Sequence, residues 1–153
     1  MMMAPLVERD AMTRRPLALT PVALALPLLA AACAPADPAI RAERDAARTP
    51  AVKVLGPGQN CIDRAQVRQS VVRTDAVIDF EMAGGRVYRS TLPQRCPSLG
   101  FERAITYETS INQLCTQQIV YVLQNIAGTL QRGAGCALGE FVPVEYVKEA
   151  GAR

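Results

Sequence analysis

Histidine is absent from all 153 residues of the chain. That absence removes the Ser-His-Asp and Cys-His catalytic arrangements, the usual zinc ligands and any imidazole general base. No C-x-x-C pair occurs among the five cysteines, so neither a thioredoxin-like redox motif nor a zinc knuckle is available. Gly133, Gly135 and Gly139 do not match G-x-G-x-x-G and no G-K-[ST] follows them, so a phosphate-cradling loop is not expected. Ser70, Ser90, Ser98 and Ser110 lack the G-x-S-x-G elbow. Cations nowhere cluster either: from Ala34 onward there are fourteen Lys/Arg against twelve Asp/Glu, without a basic run, and nucleic acid is not an expected partner. No metal and no cofactor is implied by these residues.

An uninterrupted apolar run of the about 20 residues that span a bilayer is also missing. Pro16 to Ala32 comes nearest, broken by Pro21 and Pro27 and preceded by Arg14 and Arg15. Residues 1–32 therefore read as a cleavable signal peptide. Met1 to Asp10 carries charges of both signs, so Met12, which opens the more conventional M-T-R-R, is expected to be the true start. The general secretory route is favoured over the twin-arginine route. The run closes as Leu29-Ala30-Ala31-Ala32-Cys33 and resembles the bacterial lipobox, with Ala30 at the place leucine usually holds. The resemblance implies that Cys33 is lipidated and becomes the mature N-terminus, with the membrane as partner through a two- or three-chain anchor. By resemblance to enterobacterial lipoprotein sorting, Ala34 after the cysteine, instead of aspartate, favours the outer membrane, facing the periplasm; with ordinary cleavage near Ala32 to Ala34 the protein would be soluble and periplasmic. Residues 33–50 then form the anchor and a flexible linker, rich in Ala, Pro, Arg and Asp, with a helical turn or two around Ile40 to Arg48.

Setting Cys33 aside leaves Cys61, Cys96, Cys115 and Cys136, an even number in an exported chain, and two structural disulfides are expected. Four cysteines allow three pairings. The expected one joins Cys96 to Cys115, across a chain that runs out along Phe101 to Thr109 and turns back. Cys61 and Cys136 then pair where a nearly closed sheet brings its first and last strands together.

Between Cys61 and Cys115 the texture is that of short strands. Ala65 to Arg73 alternates Val67, Gln69 and Val71 against Arg68 and Ser70, and Thr74-Asp75 reads as a turn. Val77 to Met82 sets Ile78, Phe80 and Met82 against Asp79 and Glu81, the expected wet side. Gly84-Gly85 tolerates the positive φ of a tight hairpin, after which Val87 to Leu92 returns. Cys96, between Pro93 and Pro97, staples the loop that follows. Phe101 to Thr109 reads as a fourth strand anchored by Phe101, Ile105 and Tyr107. Ile111 to Leu130 fits a helical stripe and a strand equally well. Gly128 and the G-A-G at 133–135 mark a turn before Cys136 to Val147, where Pro143 demotes the last run to an edge strand or breaks it. Residues 51–148 are thus expected to be mainly β, a small antiparallel meander or partly closed barrel of about six short strands, with a disordered tail at 149–153.

The order Cys61, V-x-x-x-x-A-V-I-D-F, R-V-Y-R-x-x-L-P-x-x-C-P-x-L at Arg86 to Leu99, L-C at Leu114-Cys115 and C-A-L-G-E-F at Cys136 to Phe141 resembles a family of uncharacterised bacterial envelope proteins. These are short, secreted or lipid-anchored, and carry four framework cysteines in this order. The likeness covers Cys61 to Val144. It implies strands over Gln118 to Leu123 and implies no activity. Gln117-Gln118 stand where members often carry an acidic residue, so any role of that acid is missing.

Arg86, Tyr88, Arg89 and Arg95 are the candidate binding residues, because guanidinium groups hold anions bidentately. The plainer duty of Arg86 and Arg89 is cross-strand pairing with Asp79 and Glu81, and that of Tyr88 and Tyr107 is core or rim. No residue takes a catalytic role. The expected function is a non-enzymatic, envelope-anchored domain that binds or stabilises an envelope protein or polysaccharide. The alternative is an inhibitor that inserts the Pro93 to Gly100 loop into the cleft of an envelope or host hydrolase. The weakest reading is a small hydrolase using Asp79 or Glu81.

Overall fold

The structure, a computed structural model, describes residues 37–147. The signal segment, Cys33 and the tail at 149–153 lie outside the described residues. The rest is mainly β, with ten strands among the described residues where about six were expected. All of them pair antiparallel, in three sheets with no closed barrel.

Asp37 caps the first helix, α1 (Pro38–Arg48), by accepting the Ala39 N–H at 2.8 Å, and Pro38 sits in its first turn. It runs about three turns, longer than the turn or two expected, and buries none of its residues. Then follow β1 (Val52–Val54), β2 (Cys61–Asp63), a 3-10 turn, β3 (Val67–Val72), β4 (Val77–Met82) and β5 (Val87–Thr91). The chain continues through a short helix, α2 (Leu99–Glu102), to β6 (Ile105–Tyr107), β7 (Gln113–Cys115), β8 (Ile119–Ile126), β9 (Thr129–Ala137) and β10 (Phe141–Tyr146).

The meander β3-β4-β5 is legible in its residues. Ile78, Phe80 and Met82 alternate into the core, and Gly84 and Gly85 take φ of 86° and 82° in the turn that returns the chain. The same five-stranded sheet, ordered β1-β10-β5-β4-β3, places β10 second from the edge. Pro143 is tolerated there for a geometric reason. In an antiparallel strand the N–H and C=O of one residue face the same neighbour. The Pro143 carbonyl accepts from Leu55 N–H at 2.9 Å, so its missing N–H falls on the β1 side, just past the end of that strand. The ladder to β5 loses nothing.

One core joins the three sheets. Phe80 and Phe141 meet edge to face at 5.4 Å, and Ile62 and Leu114 of the β2-β7 pair and Val120 and Val122 of the β6-β8-β9 sheet close over them. The ambiguous 111–130 segment holds β7, β8 and the start of β9; of the 118–123 stretch for which the family resemblance implied strands, residues 119–123 are in β8. The G-A-G at 133–135 does not turn: it lies within β9, and the hairpin turn comes earlier, at Ala127-Gly128, both with positive φ. A Cβ on Gly135 would press on Ile119 and Tyr121 at 3.1 Å, so close cross-strand packing is what favours glycine there.

The disulfides are Cys61 to Cys115 and Cys96 to Cys136, which overturns the expected pairing. Cys61 and Cys115 face each other across β2 and β7, and Cys136 lies opposite Val120 on β9, below the Cys96 loop. The expectation treated the chain as one closing sheet. The short β2-β7 pair, separate from both larger sheets, takes Cys61 away from Cys136. Phe101 is likewise not a strand anchor: it lies in α2 and is 83% exposed, and the strand expected over Phe101 to Thr109 is only Ile105–Tyr107.

Candidate functional site

The structure disperses the four sequence-predicted binding residues. Tyr88 is buried in the core. Arg86 is exposed beside the β4-β5 turn, donating Nη2–H to Gln66 Oε1 at 3.1 Å. Arg89 pairs with Asp79 across β4 and β5, the cross-strand partnership its position implied: Nε–H to Oδ1 at 2.7 Å and Nη2–H to Oδ2 at 2.9 Å. Arg95 alone of the four stands on the Pro93 to Gly100 loop.

Asp79 is not on a wet face. It is fully buried, and Oδ2 also accepts from Arg73 Nε–H at 2.8 Å and from the Tyr146 hydroxyl at 3.2 Å. Tyr146 in turn accepts from Arg73 Nη2–H at 2.8 Å. Burial by itself pushes the Asp79 carboxyl up, but the hydrogen bonds and charges of Arg89 and Arg73 outweigh it and hold the group below its ordinary range. The Tyr146 phenol is raised, chiefly by its own burial. This cluster ties β10 and the end of β3 to β4 and β5. With both carboxylate oxygens taken by guanidinium groups, it is a structural clasp.

The feature that faces outward is the loop from Pro93 to Arg103. Cys96 N–H donates to the Asp75 carbonyl at 2.7 Å, and Gly100 N–H donates to Asp75 Oδ1 at 2.7 Å. Leu99 is fully buried and the Cys96–Cys136 bond fixes the loop to β9. Ser98 and Arg103 hold left-handed backbone, φ 65° and 56°, at the two ends of α2, a conformation that costs a non-glycine residue about 1–2 kcal/mol. So many restraints leave little freedom, and what they present is Phe101. Arg95 pairs with Asp45 of α1 at 2.8 Å and reaches Asp75 at 3.4 Å, and Arg48 Nη1–H donates to Gly100 O at 3.4 Å, so α1 leans on this loop through polar contacts. Between them lies a groove of about 340 Å³ lined by Asp45, Arg48, Thr74, Asp75, Ser98, Gly100, Phe101 and Arg103. A second hollow, of about 420 Å³, lies between Pro93 to Pro97 and Gly135 to Ala137.

Sequence reasoning placed the loop and its staple but took Phe101 for core. No local pattern marks the difference, since Leu99, which is buried, and Phe101, which is exposed, are both large and apolar. The third-cysteine neighbourhood is also explained locally: Gln118 accepts the Cys115 N–H at 3.1 Å and donates to Glu108 O at 3.0 Å, a bridging task that an acid could fill only in part.

Comparison of the chain with known protein families, with characterised proteins and with solved structures returns no match. Two disulfides fit an exported protein. No helix among the described residues is long and apolar enough to cross a membrane.

Proposed function

We propose that this protein is a non-enzymatic, envelope-anchored recognition module of the four-cysteine envelope type, tethered through a lipid on Cys33, which binds an envelope protein or polysaccharide through the Pro93 to Arg103 loop. The observation that carries the reading is Phe101, 83% exposed on a loop held by a disulfide and by Asp75. Burying a phenylalanine is worth about 1.5–3 kcal/mol, and a loop already ordered loses little entropy on docking. The occupied oxygens of Asp79 support a binding role over carboxylate hydrolysis.

Full-length protein immobilised in detergent, compared with Phe101→Ser, tests the loop: envelope components retained by the wild type should be lost from the variant. Equal retention would refute it. Phe101 is 83% exposed and outside the core cluster, so the variant should fold. The same restraints favour the inhibitor reading as the second choice, and a hydrolase that is both retained and inhibited would select it. The anchor has its own test. Cys33→Ser should move the protein to the soluble periplasmic fraction or leave it unprocessed, and unchanged mass and membrane fractionation would sink the lipid.

A further inference from the structure

The charges around Phe101 narrow the ligand. Arg103, two residues along on the same groove, is exposed and its guanidinium has no hydrogen-bond or ion-pair partner among the described residues. Arg48 spends one donor on the long contact to Gly100 O. The carboxylates of the groove are already engaged: Asp45 by Arg95 at 2.8 Å, and Asp75 by the Gly100 N–H at 2.7 Å and by Arg95 at 3.4 Å. What remains open is two cations and an aromatic ring around a space of about 340 Å³.

We propose that this groove binds the free C-terminal carboxylate of a peptide whose last side chain is apolar, with Arg103 and Arg48 on the carboxylate and Phe101 against the side chain. The inference rests on the reading of this loop as the recognition surface. A chain end carries its charge and its apolar group on one residue, which matches a cation and a ring two positions apart on one rim. An internal acidic residue supplies its apolar neighbour only from another position. Guanidinium forks suit a carboxylate bidentately, and capture of chain-terminal carboxylates is a recurrent mode of peptide recognition. The volume is at the small end of ligand clefts, about 300–1,000 Å³, enough for a chain end and its last side chain. Nucleic acid and other polyanions are disfavoured by the lack of a basic run.

Fluorescence anisotropy on the full chain tests this with two labelled pentapeptides ending in leucine, identical except that one is the free acid and the other the C-terminal amide. The acid should bind about tenfold more tightly, one guanidinium-carboxylate pairing in a partly wet site. Arg103→Asn should cut that preference severalfold, Arg48 alone remaining on the carboxylate, without disturbing the turn, since Asn tolerates the left-handed φ of 56°. Phe101→Ser should weaken both peptides. Equal affinities for acid and amide, failure of both to bind, full preference retained in Arg103→Asn, or displacement of the acid by inorganic sulfate at equal concentration each overturns the carboxylate assignment. If envelope retention still depends on Phe101 in that case, the loop remains the recognition surface and only its ligand class is wrong. If retention does not depend on Phe101, the recognition reading itself fails.

Discussion

Asp79→Asn keeps the shape of a fully buried side chain and removes the anion held between two guanidinium groups. Breaking a buried ion pair from one side costs about 3–5 kcal/mol, because the charges left behind have no compensation. The Arg73 and Arg89 side chains retain 18% and 13% exposure, which lets water soften the loss, and the low end, about 3 kcal/mol, applies. Against a total of about 5–15 kcal/mol, and at about 4–8 °C per kcal/mol for a domain of this size, Tm should fall on the order of 15 °C. Urea and thermal unfolding followed by circular dichroism, without reductant, measure it. The Asp79→Asn, Arg89→Met cycle should show coupling above about 1 kcal/mol. The pH dependence has a definite sign. The folded carboxyl is lowered, so its contribution is fully present above the unfolded value near about 3.9 and is lost as pH falls through the folded value. The wild type should therefore lose stability below about pH 4 and the variant should show a shallower acid limb. A cost under about 1 kcal/mol, or additive losses in the cycle, would refute the clasp.

Non-reducing peptide mapping should recover Cys61 linked to Cys115 and Cys96 linked to Cys136; removing either bond should cost up to about 4 kcal/mol in the chain-entropy model for separations of 54 and 40. Gly139→Ala should destabilise by about 1–3 kcal/mol in denaturant titration, since the added Cβ would collide with the Thr91 carbonyl oxygen. Arg95→Ala should speed amide exchange across Pro38–Arg48 while leaving the urea midpoint of the β domain nearly unchanged, because α1 buries no residue and Arg95 is 41% exposed.

Local rules carried far in this chain. Alternation fixed the inward residues of β4, and Gly84-Gly85 marked its hairpin. Alternation also put Asp79 on the face away from the core, correctly, yet it says nothing of whether that face is covered. Tyr146, which covers it, arrives 67 residues later. The disulfide pairing failed for the same reason: it depends on which strands become neighbours, and no period encodes that β2 pairs with β7. Composition alone suggests a turn at Gly133 and Gly135, whereas the closeness of side chains on β8 is what favours glycine there. For the candidate site, the two prolines and Cys96 were legible. The exposure of Phe101 was not, because a large apolar residue looks the same in sequence whether it is buried or left for a partner.

The position of β10 sets an order on maturation. The five-stranded sheet has a vacant lane between β1 and β5 until residues 141–146 arrive, and β1 has no other neighbour to hold it. A nascent chain lacking those residues cannot complete the sheet. Tyr146 is likewise missing from its place beside Asp79 until then. Completion must wait for contacts of long sequence separation, which form slowly. Delayed closure of this kind makes β10 the latch by which the folded sheet is committed.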